Sequence, residues 1–165
     1  MTTEAIFEQI VRDHHAMIRR IAVSHEASAA VAEDLVQDIY VAIWRALPAF
    51  RGEALLRTFV ARIATNRAIT HVARATRRPT SVELSDDIAA PGDNPESQAI
   101  ALDRSARLAS AVRALPLAYR QAATLALEGL TPREIADVLG ISTNAAAIRM
   151  SRAKEWLRAR MGDTP

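Results

Sequence analysis

Apolar residues recur along most of this chain at intervals of three and four, the spacing that lines one face of an α-helix. From Glu4 to Val23 the repeat is carried by Ile6, Ile10, Met17, Ile18 and Ile21. From Ala29 to Leu47, Val31, Leu35, Ile39, Ile43 and Leu47 form one stripe, which Pro48 ends. A third stretch, Ala54 to Arg78, carries Leu56, Phe59, Val60 and Ile63 on its apolar side. Three such stripes have nothing to bury against but each other, which predicts a small helical bundle. Helices are then expected from Glu96 to Ala114 and, after a break at Leu115-Pro116, onward to Glu128, with two more beyond. Strand-like alternation is absent and glycines are few, so the predicted class is all-α. The segment between the two sets of helices reads differently. Pro79 stops the third helix, and Pro91-Gly92-Asp93-Asn94-Pro95 is a cluster of turn formers. The expected organisation is therefore two small helical domains, 1–79 and 96–165, joined by a linker at 80–95.

The last of these helices carry the sharpest local signal. Thr131 suits an N-cap, Pro132 the first helical position, and Glu134 completes a Thr-x-x-Glu capping box. Ile135, Val138 and Leu139 give a short apolar face, and Ala136 is small enough for another helix to cross closely. Gly140 supplies the left-handed residue that ends the helix. Ser142 then caps a second helix carrying Arg149, Arg152, Lys154, Arg158 and Arg160. A short capped helix, a glycine turn and a basic second helix form a helix-turn-helix, the device that lays one helix in the major groove of duplex DNA.

Charge supports a polyanionic partner through its distribution. The net charge is only +2, but residues 1–80 hold 11 Arg against 8 acids, and residues 104–165 hold 10 basic residues against 5. Between them, residues 81–103 hold 6 acids and no base. Two basic blocks around an acidic connector fit two contacts with one polyanion. The chain has no cysteine, which removes disulfides and thiolate metal sites and fits a reducing compartment. Neither a signal peptide nor a membrane-length apolar run is read, so the expected location is the cytoplasm without membrane insertion. His14, His15, His25 and His71 lack metal-ligand spacing and read as surface or cap residues; no metal, cofactor or catalytic group is expected.

The second helix shows more than packing. Asp34, Gln37 and Asp38 lie on neighbouring turns with Leu35 between faces, a mixture of acid, amide and aliphatic suited to docking a protein. Here the residues resemble a known family. Ala32-Glu33-Asp34-Leu35-Val36-Gln37-Asp38, then Trp44 to Glu53, then Arg62-Ile63-Ala64-Thr65-Asn66-Arg67-Ala68 resemble the domain-two motifs of bacterial RNA polymerase sigma factors, above all the small extracytoplasmic-function (ECF) group. Leu115 to Arg120, Glu128 to Thr131 and Arg149-Met150-Ser151-Arg152-Ala153 resemble that group's domain four. The resemblance covers nearly the whole chain, in the right order.

The resemblance implies a protein that binds core RNA polymerase, directs it to chosen promoters and answers to an anti-sigma factor, the polymerase supplying the chemistry. It maps the polymerase-docking face onto Asp34, Leu35, Gln37, Asp38 and Trp44. It maps contacts to the melted minus-ten strand onto Arg51, Gly52, Phe59, Arg62, Asn66, Arg67, Thr70 and Arg74. Contacts to the minus-thirty-five duplex fall on Thr131, Ser142, Thr143, Asn144, Arg149, Arg152 and Lys154. Two departures stand out. Phe59 replaces the tryptophan usual in the melting helix. Ala145-Ala146-Ala147-Ile148 replaces a Thr-Val-Lys-like run, which removes a phosphate-contacting lysine at Ala147 and leaves few side chains to read base edges. They keep two alternatives open: a sigma-like decoy that sequesters an anti-sigma factor, and a helix-turn-helix regulator independent of polymerase.

Overall fold

The computed structural model describes residues 1–77 and 95–162. The linker expected at 80–95 lies outside the described residues except for Pro95. Seven α-helices are described: α1 (Thr3–Val23), α2 (Ala29–Ala46), α3 (Leu56–Ala75), α4 (Pro95–Arg113), α5 (Leu117–Leu127), α6 (Pro132–Leu139) and α7 (Thr143–Met161). Local chemistry sets the ends. The Thr2 hydroxyl accepts the Ala5 N–H at 3.2 Å to open α1, and the Ser28 hydroxyl accepts the Val31 N–H at 3.4 Å to open α2. Pro48 does not stop α2 outright. The chain tightens into a 3₁₀ turn at Leu47–Ala49, whose first positions tolerate a residue without an N–H.

The first three helices pack as a bundle around Ile10, Ile18, Ile21, Ile39, Ile43 and Val60, all inaccessible to solvent. Of the residues expected on the inner side of α3, only Val60 is fully buried; Leu56, Phe59 and Ile63 are half-buried. The rest of that face is Ala61, Ala64, Thr65 and Ala68. Small residues add little to an apolar repeat, yet they let the α3 backbone approach its neighbours closely. The second half builds on α5, α6 and α7, with Leu125, Leu130, Ile135, Val138 and Ala146 in its core and α4 lying against α7. A smaller cluster of Leu115, Ala123 and Ala153, flanked by Tyr119, Trp156 and Leu157, secures α7 to α5.

The two halves are in contact. One hydrophobic cluster runs from the α1–α3 bundle into α5, α6 and α7. Around it, arginines reach across. Arg20 grips the Glu128 carboxylate with both ends of its guanidinium, at 2.5 and 2.7 Å. Arg57 meets the Glu134 carboxylate at 3.1 Å. Arg62 donates to the Asp137 carbonyl at 3.1 Å, and Arg113 to the Val23 carbonyl at 2.9 Å. Glu128 is 6% exposed at its side chain while Arg20 is 61% exposed, so water screens the pair from one side.

His25 follows α1 and is 6% exposed, with its Nδ1 2.8 Å from the Ile21 carbonyl. Burial, with a smaller contribution from the Arg120 charge, pushes the imidazole down to about 4. The unfolded chain then binds a proton at pH values where the native chain does not, so this group stabilises the fold above its ordinary value of 6.5 and that contribution is lost as pH falls toward 4.

Two outcomes are expected. In a double-mutant cycle of Arg20→Ala and Glu128→Ala, followed by urea unfolding, the coupling should be about 1 kcal/mol and should shrink in high salt. Between pH 7 and pH 4 the wild-type chain should lose about 3 kcal/mol through His25, and His25→Asn should flatten that part of the slope in the same unfolding measurement.

Candidate nucleic-acid and protein interfaces

The helix-turn-helix is built as its sequence demands. The Thr131 hydroxyl accepts the Glu134 N–H at 3.2 Å, and the Glu134 carboxylate accepts the Thr131 N–H at 2.7 Å, closing the capping box. That backbone hydrogen bond, aided by Arg57, holds the Glu134 carboxyl below its ordinary value. Gly140 takes the left-handed conformation at φ 68°, where a Cβ would be strained. The Ser142 hydroxyl then accepts the Ala145 N–H at 3.0 Å and starts α7. Ala146 and Ala153 bury the inner side of α7. Ser142, Thr143, Asn144, Ala147, Ile148 and Ser151 are left in solvent. Of the cations expected on this helix, Arg152 and Lys154 are exposed and Arg149 is half-buried. Arg152 also donates to the Tyr119 hydroxyl at 3.3 Å.

The α1–α3 bundle presents two adjoining surfaces. On α2, Asp34, Gln37 and Asp38 are exposed, and Trp44 is 44% exposed with its ring edge-on to Phe7 at 5.2 Å. Leu35 differs from the rest of the expected docking set. It is 4% exposed, because it lies on the inward stripe with Ile39 and Ile43, and it reaches the surface only in a shallow cleft of about 190 Å³. Asp34 and Asp38 line one wall of that cleft, and Arg67, Thr70, His71 and Arg74 from α3 line the other. Arg67 and Asp38 lie 3.7 Å apart across it. His71 packs 2.6 Å from the Glu26 carboxylate, which ties the end of α3 to the α1–α2 connection.

The residues expected at a melted strand are distributed along α3 and the loop before it. Arg51 and Gly52 are exposed, with Gly52 at φ 74°. Phe59 is half-buried, its ring 4.6 Å from that of Phe50, so the loop is pinned to the first turns of α3 by an aromatic pair. Arg62, Asn66, Thr70 and Arg74 follow at intervals of four on the exposed side. The Thr70 hydroxyl donates to the Asn66 backbone carbonyl one turn earlier at 3.0 Å. Arg62 is the exception, since its guanidinium already serves the Asp137 carbonyl of α6.

Sequence reasoning did not identify Arg20, Arg57, Glu128 or Glu134 as contacts between the halves. One signal was present. Glu128 caps the C-terminal end of α5, where the helix dipole disfavours an acid, so a cation from elsewhere was required. Glu134 offered none, because the capping box already accounts for an acid there.

Known proteins resemble this chain over both of its halves. The family described as Sigma-70 region 2 matches residues 10–78, and Sigma-70 region 4 matches residues 105–157. The chain is 30% identical over 162 residues to the RNA polymerase sigma factor NccH of Alcaligenes xylosoxydans xylosoxydans, covering 93% of this chain and 85% of that one. It is 28% identical to the ECF RNA polymerase sigma-E factor of Escherichia coli K12, over 88% of this chain and 81% of that one. Among solved structures it resembles CnrH in complex with the cytosolic domain of CnrY, with TM-score 0.67, 28% identity and coverage of 94% and 86%. With both regions present in order and a relative of this identity spanning nearly its whole length, the chain belongs to the ECF group of RNA polymerase sigma factors, which are regulators of transcription.

Proposed function

We propose that residues 1–79 dock on core RNA polymerase and capture the melted minus-ten strand, and that residues 96–165 bind the minus-thirty-five duplex, with 80–95 connecting them. The reading rests on one observation. An acidic wall and a basic wall, contributed by neighbouring helices, share one cleft and meet at the Asp38–Arg67 pair. Such a junction lets protein and single strand bind side by side on a rigid bundle. Asp34, Gln37, Asp38 and Trp44 form the docking contacts, and Leu35 supports them from beneath. Asn66 and Thr70 offer donors and acceptors to an extruded minus-ten base, Phe59 and the Arg51–Gly52 loop frame it, and Arg62, Arg67 and Arg74 neutralise phosphates. On the other half, Thr143, Asn144, Arg149, Arg152 and Lys154 face the upstream duplex, with Thr131 and Ser142 aligning the two helices. The chain works in the cytoplasm, where polymerase and promoters are, and contributes no catalytic group. RNA synthesis belongs to the polymerase.

Strand capture calls for the halves to separate, because Arg62 is engaged by α6. The relative CnrH was solved with the cytosolic domain of a second protein bound. An anti-sigma factor of that kind, holding α3 and α6 together, is the partner this arrangement favours.

Transcription with purified core polymerase tests the whole reading: start sites absent with core alone should appear when the chain is added, and their absence would favour the decoy. Asp34→Arg should weaken core binding about tenfold or more with an unchanged melting curve, and wild-type affinity would remove α2 from the interface. Leu35→Asp is unsuitable because it would charge the core. Thr70→Ala should alter which base is preferred within the minus-ten element while polymerase affinity stays constant, as read from transcription of promoters varied at each position. An unaltered profile would place the pocket elsewhere.

A further inference from the structure

The solvent side of α7 holds an oddity. Asn144, Ile148, Ser151 and Glu155 follow at i, i+4, i+7 and i+11, so they form one stripe along the helix. It lies opposite the buried Ala146 and Ala153. Ile148 sits at its centre and is 45% exposed. The other large apolar residues over these turns, Met150, Trp156 and Leu157, all pack against the core clusters. Ala147 is exposed as well but points about 100° round the helix from Ile148, so Ile148 is the one apolar side chain on the stripe. Arg152 flanks the stripe on one side and Lys154 on the other, both exposed.

An isolated exposed isoleucine needs no explanation on an ordinary surface. Here its position decides. It lies one turn into the second helix of a helix-turn-helix, the part that meets base edges, between cations placed for phosphates on the two groove walls. The major groove carries one apolar group, the thymine 5-methyl. An aliphatic side chain there makes no hydrogen bond and distinguishes bases by burying that methyl. Resting on the promoter-binding reading above, we propose that Ile148 selects thymine in the upstream duplex by methyl contact, so that this chain reads part of its minus-thirty-five element by apolar complementarity in place of hydrogen bonds. Asn144, one turn nearer the helix start, is placed to pair with an adenine edge, which makes the expected element rich in A·T at its centre.

The test uses the full chain assembled with core polymerase. Duplexes randomised over about one helical turn upstream of a fixed minus-ten element are selected for binding. Each thymine of the selected upstream block is then replaced singly by deoxyuridine, which removes only the methyl. One or two positions should lose about threefold to fivefold in affinity, the effect of one buried methyl. Ile148→Ala should erase that difference by weakening the thymine duplex to the level of the deoxyuridine duplex, and Ile148→Val should retain most of it. Ile148 is exposed, so neither variant perturbs the core. Equal affinity for thymine and deoxyuridine at every position, an unchanged methyl preference in Ile148→Ala, or a selected block without T·A pairs would each overturn the proposal while leaving promoter binding intact. Failure to enrich any upstream block would overturn the promoter reading and this proposal with it.

Discussion

Guanidinium groups placed at the C-terminal ends of helices hold the two halves of this protein together. Arg113 donates to the last carbonyl of α1, Arg62 to a carbonyl in the last turn of α6, and Arg20 grips the carboxylate at the end of α5. Each helix end presents carbonyls with no partner inside the helix and a partial negative charge, and arginine answers both needs with several fixed donors. The apolar cluster between the halves supplies affinity without direction. The arginines add register, since a planar fork accepts little displacement before its hydrogen bonds fail.

The same contacts give the arrangement a functional meaning. Arg62 belongs to the row that continues through Asn66, Thr70 and Arg74, and its guanidinium is engaged by α6. Glu134 closes the capping box of the helix-turn-helix and also anchors Arg57. The residue that shapes the helix-turn-helix thus also attaches it to α3. On the proposed function, the contacts that join the halves use side chains that would be needed when they part, and a partner that grips both halves would reinforce contacts already present. Ion pairs that water reaches from one side are individually weak and screened by salt.

Two surfaces carry the division of labour within the α1–α3 bundle. Acids on α2 and cations on α3 face each other across a narrow cleft, tied by Asp38 and Arg67. Opposite charges at that spacing restrain both side chains, so each surface keeps its own sign up to the boundary. On α7 the alanine run that removed a phosphate-binding lysine does not leave a blank face. It leaves Ile148 exposed midway along the solvent side of the helix.

Much of this was legible in the residues themselves. The seven helices follow from apolar periodicity and from caps at Thr2, Ser28, Thr131, Gly140 and Ser142, because those signals act within a few residues and do not depend on what packs where. The motif order identified the family for the same reason, since it is a property of sequence alone. Burial was only half legible: the sequence offers Leu35 both to the apolar stripe and to the docking face, and the packing of α2 commits it to the stripe with Ile39 and Ile43. The inner face of α3 was legible only in part, through Val60, because alanine contributes little to a hydrophobic repeat while contributing much to close approach. The contacts between the halves joined residues as far apart as Arg20 and Glu128, and no local rule reaches that distance. Which arginine meets which helix end was decided by the packing of α1 on α5 and α3 on α6. Only the tertiary structure could set that, because the unmet carbonyls of a helix end attract any cation and geometry alone selects one.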